Sequence, residues 1–124
     1  MKVIHTKTLI KSPRAVTFTG GISLRAILAE DGMGFSINKT VIPKGGPHHW
    51  HYKNHLEACY CISGEGILHN LGTGERFFIQ PDMIYALDKH DDHTFEALTD
   101  VILISIFNPP LKGNETHDQY GNYK

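Results

Sequence analysis

Four of the chain's nine histidines, His48, His49, His51 and His55, fall within eight residues, and a carboxylate, Glu57, follows them. Imidazole and carboxylate donors suit divalent iron, manganese, zinc and related ions. A second group of such donors lies downstream, in the run Tyr85-Ala86-Leu87-Asp88-Lys89-His90-Asp91-Asp92-His93. If the fold brings both groups to one mouth, they could perform Lewis-acid or general acid–base chemistry on a small molecule. Density alone does not select ligands, because a lone histidine is more often solvated or structural. His5 and His69 read as surface residues, and His90 as exposed or structural. His48 and His49 follow a Gly45-Gly46-Pro47 turn and read as flanking a mouth.

The elements that must position these groups are short. Glycine and proline punctuate the chain about every ten residues, from Pro13 to Pro109-Pro110. The segments between them are rich in β-branched and aromatic residues, and none holds a 3.6-residue apolar period over twelve positions. That rhythm predicts an all-β sandwich or barrel. Strands are expected at residues 23–28, 34–42, 57–62, 66–70, 75–79, 83–87, 94–97 and 101–107, with Leu71-Gly72-Thr73-Gly74 closing a hairpin. Residues 24–30 also have good helix propensity, but the segment is short and ends at Asp31-Gly32.

Strand parity says more. In residues 34–42 one face carries Phe35, Ile37 and Val41 and the other Ser36, Asn38 and Thr40. The polar row is either an ordinary outer face or the lining of a wet pocket inside a barrel. Glu57 shares its face with Cys59 and Cys61, two small and usually buried thiols, which predicts an inward carboxylate. A buried carboxylate needs a cation or hydrogen-bond donors, and this is the first physical reason to place a metal near Glu57. The tail, residues 109–124, reads alone as a loose terminus, yet its Glu115, His117 and Asp118 could reach back to a site.

With 124 residues the chain is expected to form one domain with a sizeable core. Its composition, 40% hydrophobic and 20% charged with net charge -1, is that of an ordinary globular protein and offers no basic stripe for nucleic acid or anionic membrane. The longest apolar run, residues 101–107, is too short to span a bilayer. The N-terminus has no apolar secretion core, so a cytoplasmic protein is expected, with Cys59 and Cys61 as reduced thiols.

The spacing of Gly46, His49-Trp50-His51, Glu57 and Gly64, and then Gly74, Pro81, Asp82 and His93, resembles the two cupin motifs. Two departures matter: five residues separate His51 from Glu57, and Asp82-Met83 stands where cupins prefer a glycine at the second place. The departures resemble one family. Asp31-Gly32-Met33-Gly34-Phe35-Ser36, the run from His51 to Cys61, Tyr85-Ala86-Leu87-Asp88-Lys89-His90-Asp91, Phe107-Asn108-Pro109-Pro110-Leu111, and the tail's Glu115, His117, Asp118 and Gly121 are similar to the ectoine synthases over nearly the whole chain.

That resemblance implies a small cupin-type β-barrel (jelly roll) and a cyclising dehydratase. The family closes N-γ-acetyl-L-2,4-diaminobutyrate into the compatible solute ectoine with loss of water. It implies an iron-type divalent metal, most readily Fe(II) with Zn or Mn as alternatives, on Glu57, Tyr85 and His93. Tyr52, His55, Tyr85 and His93 become the acid–base candidates. Arg25, Asn38, Thr40, Tyr52, His55, Asp91, Phe107, Glu115 and His117 become pocket residues, with Arg25 on the substrate carboxylate and Phe107 against its methylenes. A homodimer is expected, since exposed strand edges are a hazard and the family also suggests it. One departure concerns the pocket wall: the family usually carries tryptophan where this chain has Gly21, so the wall is missing or supplied by another residue such as Trp50. Cys59 replaces a branched aliphatic residue. Two other readings stay open: a different metallocupin lyase or hydrolase on a related zwitterion, and a non-catalytic cupin that binds a solute.

Overall fold

A computed structural model describes residues 1–123. Ten strands run in chain order: β1 (Ala15–Phe18), β2 (Gly21–Ile27), β3 (Ser36–Ile42), β4 (Gly45–Trp50), β5 (Leu56–Ser63), β6 (Gly66–Asn70), β7 (Arg76–Ile79), β8 (Ile84–Leu87), β9 (His93–Ala97) and β10 (Val101–Asn108). They form two antiparallel sheets, one ordered β1-β2-β3-β10-β5-β8 and the other β4-β9-β6-β7. The only helices among the described residues are two 3-10 turns, Thr6–Leu9 and Ala29–Asp31. Among the described residues no helix is long and apolar enough to cross a membrane.

The expected strands form within a few residues of their expected bounds, and the segment of helical propensity is strand β2 ending in a 3-10 turn. Two strands lie outside the expectation. β1 is short and pairs only with β2. β4 runs through Gly45-Gly46-Pro47, which the sequence suggests as a turn; its register with β9 slips between Gly45 and His48, and the irregularity absorbs the proline.

The two sheets face each other, and alternation decides what lies between them. The inward row of β3 is Ser36, Asn38, Thr40 and Ile42, all buried, while Ile37, Lys39 and Val41 are half-buried on the other side. The polar row therefore lines the barrel interior. β5 turns Glu57, Cys59 and Cys61 inward, and β10 turns Val101, Leu103, Ser105 and Phe107 inward. Register aligns these rows: Ser105 lies opposite Asn38 on one side and Cys59 on the other, and Phe107 lies opposite Ser36 and Glu57. The interior is thus graded. Ile42, Cys61, Phe95, Ala97, Val101 and Leu103 form an apolar floor. Ser36, Asn38, Thr40, Glu57, His93 and Ser105 form a polar layer above it, buried but hydrophilic. Each large apolar side chain of the floor contributes about 1.5–3 kcal/mol on burial, and this offsets the cost of the polar layer.

Candidate active site

The polar layer opens into an enclosed chamber whose free volume is only about 10 Å³. Its polar side is a hydrogen-bonded chain across three strands. Asn38 Nδ2 donates to Thr40 Oγ1 at 3.4 Å, the Thr40 and Ser105 hydroxyls hydrogen-bond to each other at 2.8 Å, and Cys59 Sγ lies 3.6 Å from Ser105 Oγ. Asn38 Oδ1 is buried without a partner.

Glu57 stands at the end of this chain. Burial pushes its carboxyl up to about 7, against hydrogen bonds from the Cys59 thiol and the Ser105 hydroxyl that favour the charged form. Both donors are neutral, so the carboxylate's charge is uncompensated by its immediate contacts. Tyr85, on β8 opposite Cys59, shares the chamber wall with Glu57, and burial drives its phenol well above the usual range.

His93, at the start of β9, is 1% exposed. Its Nδ1–H donates to the Asp91 carbonyl at 2.9 Å. That bond fixes the tautomer and leaves Nε2 as a lone pair, which is buried without a partner. Burial also holds the ring's pKa below its ordinary value. An imidazole oriented by a carbonyl, with a free lone pair, is the usual state of a metal-ligating histidine. No three His, Cys, Asp or Glu side chains converge among the described residues, so a cation held by Glu57 and His93 needs the Tyr85 phenol as a further donor. Carboxylate, phenol and imidazole fit a hard or borderline divalent ion.

The opposite side of the chamber is aromatic. The Tyr52 hydroxyl lies 2.8 Å from His117 Nε2. Burial, helped by Arg25, lowers the His117 pKa to about 4. A neutral His117 therefore accepts this bond from the Tyr52 O–H, and burial raises the Tyr52 pKa well above its ordinary value. Trp50 stacks on His117 at 5.9 Å and on Phe95 at 6.2 Å, and its Nε1–H donates to the Thr19 carbonyl at 3.0 Å. Gly21 has no room for a side chain as its backbone stands, since a Cβ there would overlap the Val41 carbonyl oxygen and crowd the Phe18 ring. Phe18 packs edge-on against Trp50 at 5.7 Å. Phe18 and Trp50 both line the chamber.

Of the residues singled out in the sequence, Asn38, Thr40, Tyr52, Glu57, Tyr85 and Phe107 line the chamber together. His55 packs edge-on against Phe107 at 6.0 Å, with its Nδ1 buried and unpartnered. Arg25 is fully buried, but its donors are engaged: Nε with Ser23 Oγ at 3.2 Å, and its terminal nitrogens with the Gly113 carbonyl at 2.9 Å and the Glu115 carbonyl at 2.7 Å. In this state it anchors the tail. The Glu115 carboxylate accepts from the backbone N–H groups of Lys112 and Gly113 and lies 3.7 Å from Arg25. Asp91 lies outside the chamber, in a cleft of about 390 Å³ beside β8 that Tyr85 and His93 also border.

The remaining histidines stand apart. His49 pairs with Asp92 at 2.5 Å and His51 lies 3.7 Å from the same carboxylate, while His90 Nδ1 donates to the carbonyls of Tyr52 and His55. Sequence reasoning missed Ser105, Ser23 and Tyr123. Ser105 was within reach, because it shares parity on β10 with the inward Phe107. No local pattern marks Tyr123, which a turn in the tail delivers.

The family model described as ectoine synthase matches residues 1–124. Among curated relatives, the L-ectoine synthase of Wolinella succinogenes is 46% identical over 98% of this chain and 95% of its own length. That of Halalkalibacterium halodurans is 43% identical over 99% and 95%. The crystal structure of ectoine synthase from P. lautus is 42% identical, with a TM-score of 0.86 over 91% of this chain and 81% of that one. A putative ethanolamine utilization protein Q from Salmonella typhimurium, at 16% identity and TM-score 0.67 over 77% and 79%, shares the fold alone.

Proposed function

The chain belongs to the ectoine synthase family and is an enzyme of that type, a hydro-lyase with the cupin fold; from that premise we propose the substrate, the metal and the residues that act. The substrate is N-γ-acetyl-L-2,4-diaminobutyrate and the product ectoine. Fe(II) is the first choice of ion, with Zn or Mn as alternatives, held by Glu57, Tyr85 and His93. One observation carries the metal reading: a buried acid with only neutral donors shares the polar layer with a histidine whose oriented lone pair has no partner.

In the reaction the substrate's α-amine attacks its own acetamide carbonyl. A C–N bond closes the ring, and the carbonyl oxygen leaves as water after gaining two protons. Amide carbonyls are weak electrophiles, and a bound divalent ion supplies Lewis-acid stabilisation of the developing oxyanion worth several kcal/mol. Enclosure holds amine and carbonyl near attack distance. The pair of Tyr52 and neutral His117 can give and take a proton at the Tyr52 oxygen, which suits both the amine's proton loss and water's departure. Asn38, Thr40 and Ser105 offer hydrogen bonds to the substrate's polar atoms, and Phe107 packs its methylenes. Arg25 supplies positive charge toward the carboxylate.

We place the enzyme in the cytoplasm, as part of the cell's response to osmotic stress, and as a homodimer. The outer face of the six-stranded sheet exposes Tyr60, Ile62, Ile84 and Ile106, with Tyr60 directly opposite Ile84. A second copy would cover this apolar patch. Incubating Fe(II)-loaded protein with the acetylated diamine under argon, and following the ring protons by NMR, tests the activity. Ectoine should accumulate with wild type and not with Glu57→Ala. Unchanged substrate in the presence of folded, metal-loaded wild type would overturn the assignment.

A further inference from the structure

Two loops carry or flank most of the groups assigned to proton transfer and to the metal. Residues 51–55 connect β4 to β5; they hold Tyr52 and His55, and Glu57 follows on β5. Residues 88–92 connect β8, which bears Tyr85, to β9, which begins at His93. His90 bridges the second loop to the first. Its Nδ1 donates to the Tyr52 carbonyl at 3.0 Å and to the His55 carbonyl at 3.0 Å, residues 38 and 35 positions away in the chain. Neither carbonyl belongs to a strand, and a backbone group outside a ladder takes its partner from elsewhere. The loop's N–H groups face the other way: His51 N donates to the Gly121 carbonyl at 2.9 Å and Lys53 N to Asn122 Oδ1 at 3.0 Å. His90 thus holds the carbonyl side of the loop with one N–H shared between two oxygens.

The backbone of His90 is itself unusual. Its φ is +51, in the left-handed region that residues other than glycine seldom enter. Strain of this kind persists where the surrounding structure fixes it, and it clusters at functional sites. The neighbouring residues complete the turn. Lys89 N donates to Asp91 Oδ2 at 3.1 Å, and the Asp91 carbonyl accepts from His93 Nδ1 at 2.9 Å. Successive residues of one turn therefore reach in two directions, Asp91 to His93 and His90 to the loop of Tyr52 and His55. Position matters in that loop, because the Tyr52 hydroxyl meets His117 at 2.8 Å and His55 packs on Phe107 at 6.0 Å. A shift of about 1 Å in a reacting group is enough to cost about 100-fold in rate.

We propose that His90 is a positioning residue for the reaction: its Nδ1–H clasps the Tyr52 and His55 carbonyls and sets the acid–base loop against the metal side of the chamber. His90 does not line the chamber. The proposal rests on the function given above and extends it to a histidine outside the site. It also fixes the neutral ring as the Nδ1–H tautomer, with the lone pair on Nε2.

Two variants share the backbone requirement and differ in the donor. His90→Gly accepts a φ of +51 and has no side-chain N–H. His90→Asn also tolerates the left-handed region; its amide nitrogen stands the same number of bonds from Cα as Nδ1 and carries two N–H groups for the two carbonyls. Long-range proton–nitrogen correlation of the imidazoles in isotope-labelled wild type at pH 8 should show His90 as the Nδ1–H tautomer. Amide hydrogen exchange across residues 51–55, measured without metal or substrate, should speed several-fold in His90→Gly and stay near wild type in His90→Asn. With Fe(II) loaded and the acetylated diamine supplied, His90→Gly should lose about 10-fold or more in kcat with little change in KM. It should bind iron as wild type does, and His90→Asn should recover most of the lost rate. An Nε2–H tautomer, an unchanged kcat in His90→Gly, or His90→Asn as slow as His90→Gly would overturn the proposal. Loss of iron from His90→Gly would overturn it too, because the ring would then serve the metal and not the acid–base loop. If wild type itself makes no ectoine, the substrate assignment falls, while the tautomer and the exchange rates still decide the clasp.

Discussion

Replacing Glu57 by Gln should change how the metal-free protein's stability depends on pH, and the size of the change follows from the site. Burial raises this carboxyl from 4.5 to about 7 in the fold. At about 1.36 kcal/mol for each unit, ionising it inside the protein costs about 3 kcal/mol more than in the unfolded chain. The sign follows from proton counts: between these two pKa values the folded state holds a proton that the unfolded state has lost, so stability falls as pH rises. Below 4.5 both states are protonated and the penalty vanishes. About 2–3 kcal/mol of it develops between pH 5 and pH 8. Gln has a similar shape and no charge at any pH, so its effects on packing cancel when the two pH values are compared. Urea unfolding of chelator-treated wild type and Glu57→Gln at pH 5 and pH 8 measures the double difference. Wild type should lose about 2–3 kcal/mol relative to the variant over that range, on the order of 1 M in midpoint. Equal differences at both pH values would refute the claim that Glu57 is an acid buried among neutral donors. A cation that neutralises this charge should abolish the loss, so metal should stabilise wild type far more at pH 8 than at pH 5.

Other consequences are open to the same kind of test. Ser105→Ala removes a donor to Glu57 and a partner of Thr40, and should cost about 1–3 kcal/mol in urea unfolding; Ser105→Thr, which keeps the hydroxyl, should recover most of it. Phe95→Ala removes a fully buried ring from the apolar floor and should cost about 3–5 kcal/mol, while a bound metal should still be detectable in whatever folds. His117, whose pKa falls from 6.5 to about 4 on folding, should make stability drop as pH falls through that window, because the unfolded chain binds the proton first; thermal melts of His117→Asn should lack that drop. Tyr52→Phe deletes the hydroxyl bonded to His117 and should lower kcat by about 100-fold or more with little change in KM.

Much of the barrel was legible from glycine and proline punctuation and from parity. Asn38 and Thr40 declare their face because Ile37 and Val41 alternate with them, and Glu57 declares its own because Cys59 and Cys61 share it. What parity could not supply was sidedness: a polar row can face water or a wet interior, and only the second sheet resolves which. The histidine cluster misleads in the same way. His48, His49, His51 and His55 are dense in sequence, yet β4 and the loop after it spread them along the rim, where His49 and His51 meet Asp92. Position in the chain did not separate His93 from the other histidines; only the family resemblance named it, and the Asp91 carbonyl fixes its tautomer. β4 was hidden because Gly45-Gly46-Pro47 carries turn chemistry into an irregular strand. Tyr123 was invisible for a different reason: its place depends on a dock made by Gly121 and Asn122 on the barrel rim, a tertiary contact that no periodicity records.

In the function proposed above, ectoine forms at a cation held by Glu57, Tyr85 and His93. A single titration decides this: Fe(II) added stepwise and anaerobically to chelator-treated protein, with bound iron and the rate of ectoine formation read from the same samples. Rate should rise in proportion to bound iron and level off near one ion per chain, and Glu57→Ala should neither bind the ion tightly nor turn over. Full turnover in the iron-free sample, or none in folded wild type carrying one ion per chain, would contradict it.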